Sequence, residues 1–338
     1  MELKKTTKLS EVIDNYPNIT AYLFSVNPKY KLLNNPVIVE LMSKKIDLGH
    51  VAQRGGWTFE ELNSKIIEGI REGKLKSDVQ HPIANMKELK DRMKMLLKML
   101  YDGRDVENVK KEFKELISKA DPILIAVVEG ELTSEGYTVQ DLMKACDIHL
   151  ELFKDQISSS RKRVSRDHPL WRFIKDHDAM MFWIEEGLSI TRELKKRKGY
   201  DDASDLIKRL KEMMEHLKEA ENHDVRQENT LFPVVEKYGI EEPPSIMWEE
   251  HYNMKNKRAQ IEKLIQEIPS RSYKEFTDLM EGNFVYLLET FSQHTKKEQE
   301  ILYNVALDLL SDQDWWDIKK ESDEIGYFEL PKEVLEDE

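Results

Sequence analysis

One stripe of side chains dominates the sequence. Phe276, Met280, Phe284, Leu287, Phe291, His294, Glu298, Leu302, Val305 and Leu309 follow one another at intervals of three or four. Only an α-helix brings such a series onto one face. A helix of that length, about 50 Å at 1.5 Å per residue, needs long partners to bury it. His294 and Glu298 interrupt an otherwise apolar seam. An unpaired carboxylate in a dry helical core is costly, and a bound cation removes that cost.

The partners are legible upstream. Helical runs are expected over about 169–198, 203–238, 245–267 and 272–310, joined by KGYDD, GIEEPPS and PSRS. Short connectors between long amphipathic helices imply antiparallel neighbours, hence an all-α, up-down-up-down four-helix bundle. Each run carries a candidate histidine. His177 steps with Phe173, Met180, Ile184 and Leu188, and His251 steps with Met247, Met254, Ile261 and Ile265. On the second run, Leu206, Leu210, Met213, Leu217, Leu231 and Val235 define the apolar face. His223 falls at its edge, Gln227 shares the side of His223, and Glu228 lies nearer the centre. His223 and Glu228 diverge by roughly 140° on an ideal helix. Both reach one site only where the helix is locally widened, as in a π-bulge.

Imidazoles and carboxylates projecting from facing helices suit iron, zinc, manganese or copper, and bundle cores of this kind hold two irons most often. The candidate ligands are His177, His223, Glu228, His251, His294 and Glu298. The competing reading makes these histidines satisfied core or boundary residues. With one cysteine, Cys146, the chain has no internal disulfide and no thiolate cage for zinc or an iron–sulfur cluster. A net charge of −13 argues against sequence-independent nucleic-acid binding. No apolar run reaches the length of a membrane span. The opening MELKKTTKLSEVIDNYP has no apolar leader stretch, so a cytoplasmic protein is expected.

Residues 1–75 read as a small helical domain. Ser10 is the expected cap of EVIDNY, ITAYLFSV ends near Asn27-Pro28, Pro36 opens a third helix, and Thr58-Phe-Glu-Glu61 is a capping box. The stretch 75–85 reads as a linker. Residues 84–162 form a middle helical domain, 165–312 the bundle, and 313–338 an acidic tail in which Trp315 and Trp316 dock while the last residues fray. Cys146 and His149 form Cys-x-x-His on an expected helix and read as a buried thiol beside a boundary histidine. His168 reads as a polar contact at a helix start and His216 as a solvated face. Tyr252 and Tyr286 read as core packing, and His50 and His81 as loop residues. No internal repeat is visible.

HDVRQENTLFPVVEKYGI (223–240), PPSIMWEEH ending at His251, and HTKKEQEILY (294–303) together resemble the hemerythrin-like HHE cation-binding family. The resemblance implies a non-haem di-iron site with His177, His223, His251, His294 and Glu298 as ligands. The family's second-helix bridging glutamate would lie four residues after His223, where this chain has Gln227 followed by Glu228. Oxygen carriers of the family have a second histidine one turn after the third-helix one, where this chain has Lys255. The set is therefore similar to the four-histidine site of iron–sulfur-cluster repair di-iron proteins. LLKMLYDGRDVENVKKEFKELI and EGYTVQDLMKACDIHLELF resemble the domain-of-unknown-function family numbered 438. VIDNYPNITAYLF, NNPVIVELM and AQRGGWTFEEL resemble the family numbered 1858. These resemblances imply a protein that binds or senses dioxygen or nitric oxide, or handles iron under oxidative or nitrosative stress. The alternatives are a di-iron oxidoreductase acting on peroxide or nitric oxide, and a zinc-bound or metal-free interaction module, with homodimerisation open in each case.

Overall fold

The computed structural model describes residues 2–75, 82–102, 106–117, 122–138, 160–268 and 270–336. Among them every regular element is helical, apart from an isolated antiparallel bridge between Lys8 and Asp47. No helix of these residues is long and apolar enough to cross a membrane. The chain divides into two compact units: Met1–Gln156 with Val235–Glu242 and Val305–Ser311, and Ile157–Val234 with Pro243–Asn304 and Asp312–Glu338. Residues 1–75 and 84–156 fall in the first unit, and residues 157–162 and 312–338 in the second.

In the first unit, helices Leu9–Asn15, Ile19–Val26, Pro36–Ser43, Leu48–Gly55 and Phe59–Arg71 bury Leu9, Val12, Leu23, Tyr30, Leu62 and Ile66 in one cluster. Thr58 caps as expected: its hydroxyl accepts from Glu61 N at 3.2 Å, and Thr58 N donates to Glu61 Oε2 at 2.7 Å. The first helix starts at Leu9, so Ser10 lies inside it rather than capping it. His50 lies within helix Leu48–Gly55, not in a loop. The next helix, Pro82–Tyr101, begins inside the stretch read as a linker, with proline at its first position, where the missing N–H costs nothing. Lys90 joins it to Glu40 and Glu131 at 3.0 and 2.8 Å. His81, Cys146 and His149 lie outside the described residues.

In the second unit, the first bundle helix is Pro169–Leu194. His168 Nδ1 accepts from Leu170 N at 3.1 Å, and the His168 ring meets Trp315 edge-on, so this histidine is a helix-start contact. The helix packs against Ser204–Glu219 and Tyr273–Lys297. Gly187 makes the second contact possible, since a Cβ there would come within 2.3 Å of Phe284 Cε1. Glu242–Gln266 supplies the third helix, whose Met254, Ile261 and Ile265 join the same core.

Two of the expected runs are not uniform. The second is Ser204–Glu219, a tight turn at Ala220, then Glu221–Arg226, a π-turn over Gln227–Leu231, and Phe232–Lys237. The fourth is Tyr273–Lys297, a π-turn over Glu298–Leu302, and Tyr303–Leu309. The tail folds as Asp312–Ile325 and Lys332–Glu336. Trp315 is buried, while Trp316 is 58% exposed and does not dock. The end is not frayed through Glu336: Lys175 Nζ donates to Val334 O at 3.3 Å, and Val334 is buried.

Candidate metal centre

The four bundle histidines meet in two pairs. His177 and His223 face each other through Nε2 at 3.1 Å, and His251 and His294 do so at 3.2 Å. Glu298 lies between the pairs. Its Oε2 is 2.7 Å from His177 Nε2 and 3.9 Å from His223 Nε2; its Oε1 is 3.5 Å from His294 Nε2 and 3.9 Å from His251 Nε2. All five side chains are buried. His177, His223 and Glu298 form one group able to hold a metal ion, and His251, His294 and Glu298 another.

A test of fit comes from the shared carboxylate. Glu298 Oε1 is buried and accepts no hydrogen bond, although four imidazoles surround the carboxyl. Leaving a buried charged oxygen unsatisfied is expensive. Nitrogen and oxygen donors converge on it from separate helices, and a divalent cation is the group that such a donor set satisfies. The residues present therefore fit a metal.

Glu228 does not enter this shell. Its Oε1 lies 2.9 Å from His251 Nδ1, on the far side of the ring from the facing Nε2 atoms. The second helix is widened by a π-turn, the condition set for Glu228 to share the site of His223, but the side chain beside Glu298 belongs to Gln227. Gln227 Nε2 donates to Glu298 Oε2 at 2.9 Å and also to the Tyr303 hydroxyl. Tyr303 was not anticipated. Its hydroxyl donates to Glu298 Oε2 at 2.9 Å, and its ring stacks on His177 with an interplanar angle of 8°. Tyr252 is 62% exposed, and Tyr286 is also exposed, so neither packs in the core. His216 is exposed and stacked on Trp183.

Each of the four histidines is held from behind through Nδ1. His223 Nδ1 faces Asp176 Oδ2 at 3.3 Å, and Asp176 accepts from Arg172 Nε and Arg226 Nη2. His294 Nδ1 faces Glu250 Oε2 at 2.9 Å, and Lys297 Nζ donates to the same carboxylate at 2.7 Å. Behind His177 stands Gln299, whose Nε2 donates to Nδ1 at 3.0 Å. These contacts fix tautomer and ring orientation, as such partners do behind metal-binding histidines.

The contacts expose a repeat that the sequence reading missed. Residues 223–232, HDVRQENTLF, superimpose in role on 294–303, HTKKEQEILY. Arg226 and Lys297 hold the acids that precede His177 and His251, and Gln227 and Glu298 reach the centre. Glu228 and Gln299 stand behind the histidine of the neighbouring helix. Phe232 stacks on His251 as Tyr303 stacks on His177. The halves match in plan, with acid and amide exchanged.

Electrostatics follow from the packing. Burial opposes charge on Glu298, but His294, His177 and His223 outweigh it and hold the carboxyl well below the usual range. Burial pushes His177 down to about 4 against the pull of Glu298. For His223 burial works the same way, but Asp176 and Glu298 win and push it up to about 8. Burial, reinforced by Glu298, raises the Tyr303 phenol well above 10 and keeps it neutral.

Comparison with protein families agrees with this geometry. Residues 93–159 match the Family of unknown function (DUF438). Neither this match nor the one below extends to the N-terminal residues likened above to the family numbered 1858. No curated protein matches the chain. Residues 183–306 match the Hemerythrin HHE cation binding domain, a stretch that holds His223, His251, His294 and Glu298 and begins just after His177.

Proposed function

We propose that this is a non-haem iron protein whose centre holds two cations between the paired histidines, with Glu298 shared between them. One observation carries the reading: two facing imidazole pairs, each within 4.8 Å of one oxygen of the same fully buried carboxylate. Zinc or manganese satisfies the same donors; the match to a hemerythrin cation-binding domain supports a metal there, and iron is the metal we propose. A metal pair held by these residues would supply a site for a small diatomic ligand. On this reading the chain binds or senses dioxygen or nitric oxide, or handles iron under oxidative or nitrosative stress. Its own residues exclude water, orient the rings through Nδ1, and place the Tyr303 hydroxyl beside the shared carboxylate.

The test is metal content with an optical spectrum, on protein purified without oxygen, for the native chain and for His294→Ala. About two metals per chain are expected in the first, and at most one in the second. Equal metal in both would remove His294 from the ligand set and sink the assignment. A second reading, a peroxide- or nitric-oxide-reducing oxidoreductase, is favoured by the Tyr303 hydroxyl, a buried hydrogen-bond donor at the centre 2.9 Å from Glu298 Oε2. Consumption of either substrate over many turnovers with an electron donor separates it from a binding protein.

A further inference from the structure

We propose that the two halves of the centre bind cations unequally, with His251, His294 and Glu298 Oε1 forming the tighter position and His177, His223 and Glu298 Oε2 the weaker, exchangeable one. The proposal rests on the cation-binding reading above and adds which half fills first.

Three observations point the same way. The first is the shared carboxylate itself. Oε2 already accepts from Gln227 Nε2 and Tyr303 Oη, both at 2.9 Å, and lies 2.7 Å from His177 Nε2. Oε1, on the His251/His294 side, accepts nothing. A cation on that side satisfies an orphaned oxygen, whereas a cation on the other side competes with donors already in place.

The second is the support behind the rings. His251 and His294 each have a carboxylate at Nδ1, Glu228 and Glu250. A carboxylate accepts only, so it holds the ring proton on Nδ1 and leaves the Nε2 lone pair free for a cation. In the other half only His223 has such support, from an Asp176 shared with two arginines.

The third is a lock on His177. Arg161 Nε donates to Gln299 Oε1 at 3.0 Å, and Asp178 holds the Arg161 guanidinium in place. A guanidinium has no acceptor, so this contact fixes which end of the Gln299 amide faces the ring. The NH₂ end faces Nδ1, which must then accept, and the ring proton sits on Nε2, directed at Glu298. For His177 to offer Nε2 to a cation, the proton must leave that nitrogen. Gln299 must also turn away from Arg161.

The test is a titration of the full metal-free chain with Zn(II) alone, by calorimetry and by long-range ¹H–¹⁵N NMR of the histidine rings. Before metal, His177 should carry its proton on Nε2, and His251 and His294 on Nδ1. The first equivalent should shift Nε2 of His251 and His294. The second should shift His177 and His223 with an affinity ~10–100-fold lower, the usual range for outer-shell effects. Gln299→Glu supplies the missing acceptor and should bring the two affinities together by strengthening the second. Arg161→Ala, a surface change, should do the same by freeing the amide. Glu228→Gln should weaken the first about tenfold or more. Equal affinities in the native chain, first filling at His177 and His223, or a second affinity unmoved by both Gln299→Glu and Arg161→Ala would each overturn the proposal and leave the cation-binding reading standing. A chain that takes up no Zn(II) would overturn both.

Discussion

The two units of this chain are both helical, yet they bury different chemistry. The N-terminal cluster is built from Leu9, Val12, Ile19, Leu23, Leu62 and Ile66, side chains whose burial stabilises by about 25 cal/mol per Å² of apolar surface. The middle layer of the bundle buries Asp176, Arg226, Gln227 and Glu298 completely, with Glu250 and Lys297 nearly so. Buried ion pairs do little better than break even against apolar residues of the same volume, and often do worse. A core layer made of charges is therefore not explained by stability. On the proposed function it is explained by a cation held between the four histidines and Glu298, with the surrounding charges holding those side chains in position.

The contrast can be broken most severely at Arg226. Arg226→Ala leaves Asp176 buried with fewer partners, and should cost the metal-free bundle about 3–5 kcal/mol, the usual loss when one member of a buried pair is removed. Urea midpoints measure it. A loss below about 1 kcal/mol, the scale of an exposed pair, would mean that Arg172 alone satisfies Asp176 and that the layer is less interlocked than drawn here.

A smaller effect is expected at Glu242, the acid in the first unit that burial, with Glu129 and Glu241 nearby, pushes up to about 7 from an ordinary 4.5. The folded chain holds this proton more tightly than the unfolded chain does. Its contribution to stability is therefore full below about pH 4.5 and is lost as pH rises through about 7. Glu242→Gln should flatten stability against pH over that window. A profile that falls equally steeply in the variant would assign the effect elsewhere.

Smallest is the cap. Thr58→Ala removes the capping box at the start of Phe59–Arg71 and should lower the first unit's stability by about 1 kcal/mol without changing metal content. If metal content moved as well, the two units would not be chemically separate.

The sequence made part of this legible. His177, His251 and His294 sat on clean apolar stripes, and the Thr58 capping box had a local signature that needs no tertiary information. The second-helix π-turn was legible only as a condition on Glu228 and the fourth-helix one not at all, because the contacts these turns allow with Glu298 span helices. On a regular helix Glu228 lies nearer the apolar centre than Gln227; the turn over Gln227–Leu231 reverses the order. Tyr303 was hidden for the same reason, five residues after Glu298 and past a π-turn of its own. The repeat was hidden differently. Between HDVRQENTLF and HTKKEQEILY the amide and acid trade places, so likeness in plan appears as difference in letters.

The last helices of the chain are fastened in an unusual way. Arg172 Nη2 donates to Phe328 O, Asn222 Nδ2 to Ile325 O and Lys175 Nζ to Val334 O, while Tyr327 lies under Arg226 at 4.6 Å. Three of these four attachments grip main-chain oxygens, which every residue type supplies. Spacing along this strap therefore matters more than spelling: substitutions at 325, 328 and 334 keep the acceptors, whereas a residue gained or lost between them moves all later ones out of reach. The same arginines anchor the strap and steady Asp176 behind His223, so these last helices and the histidine cluster share one set of guanidinium groups.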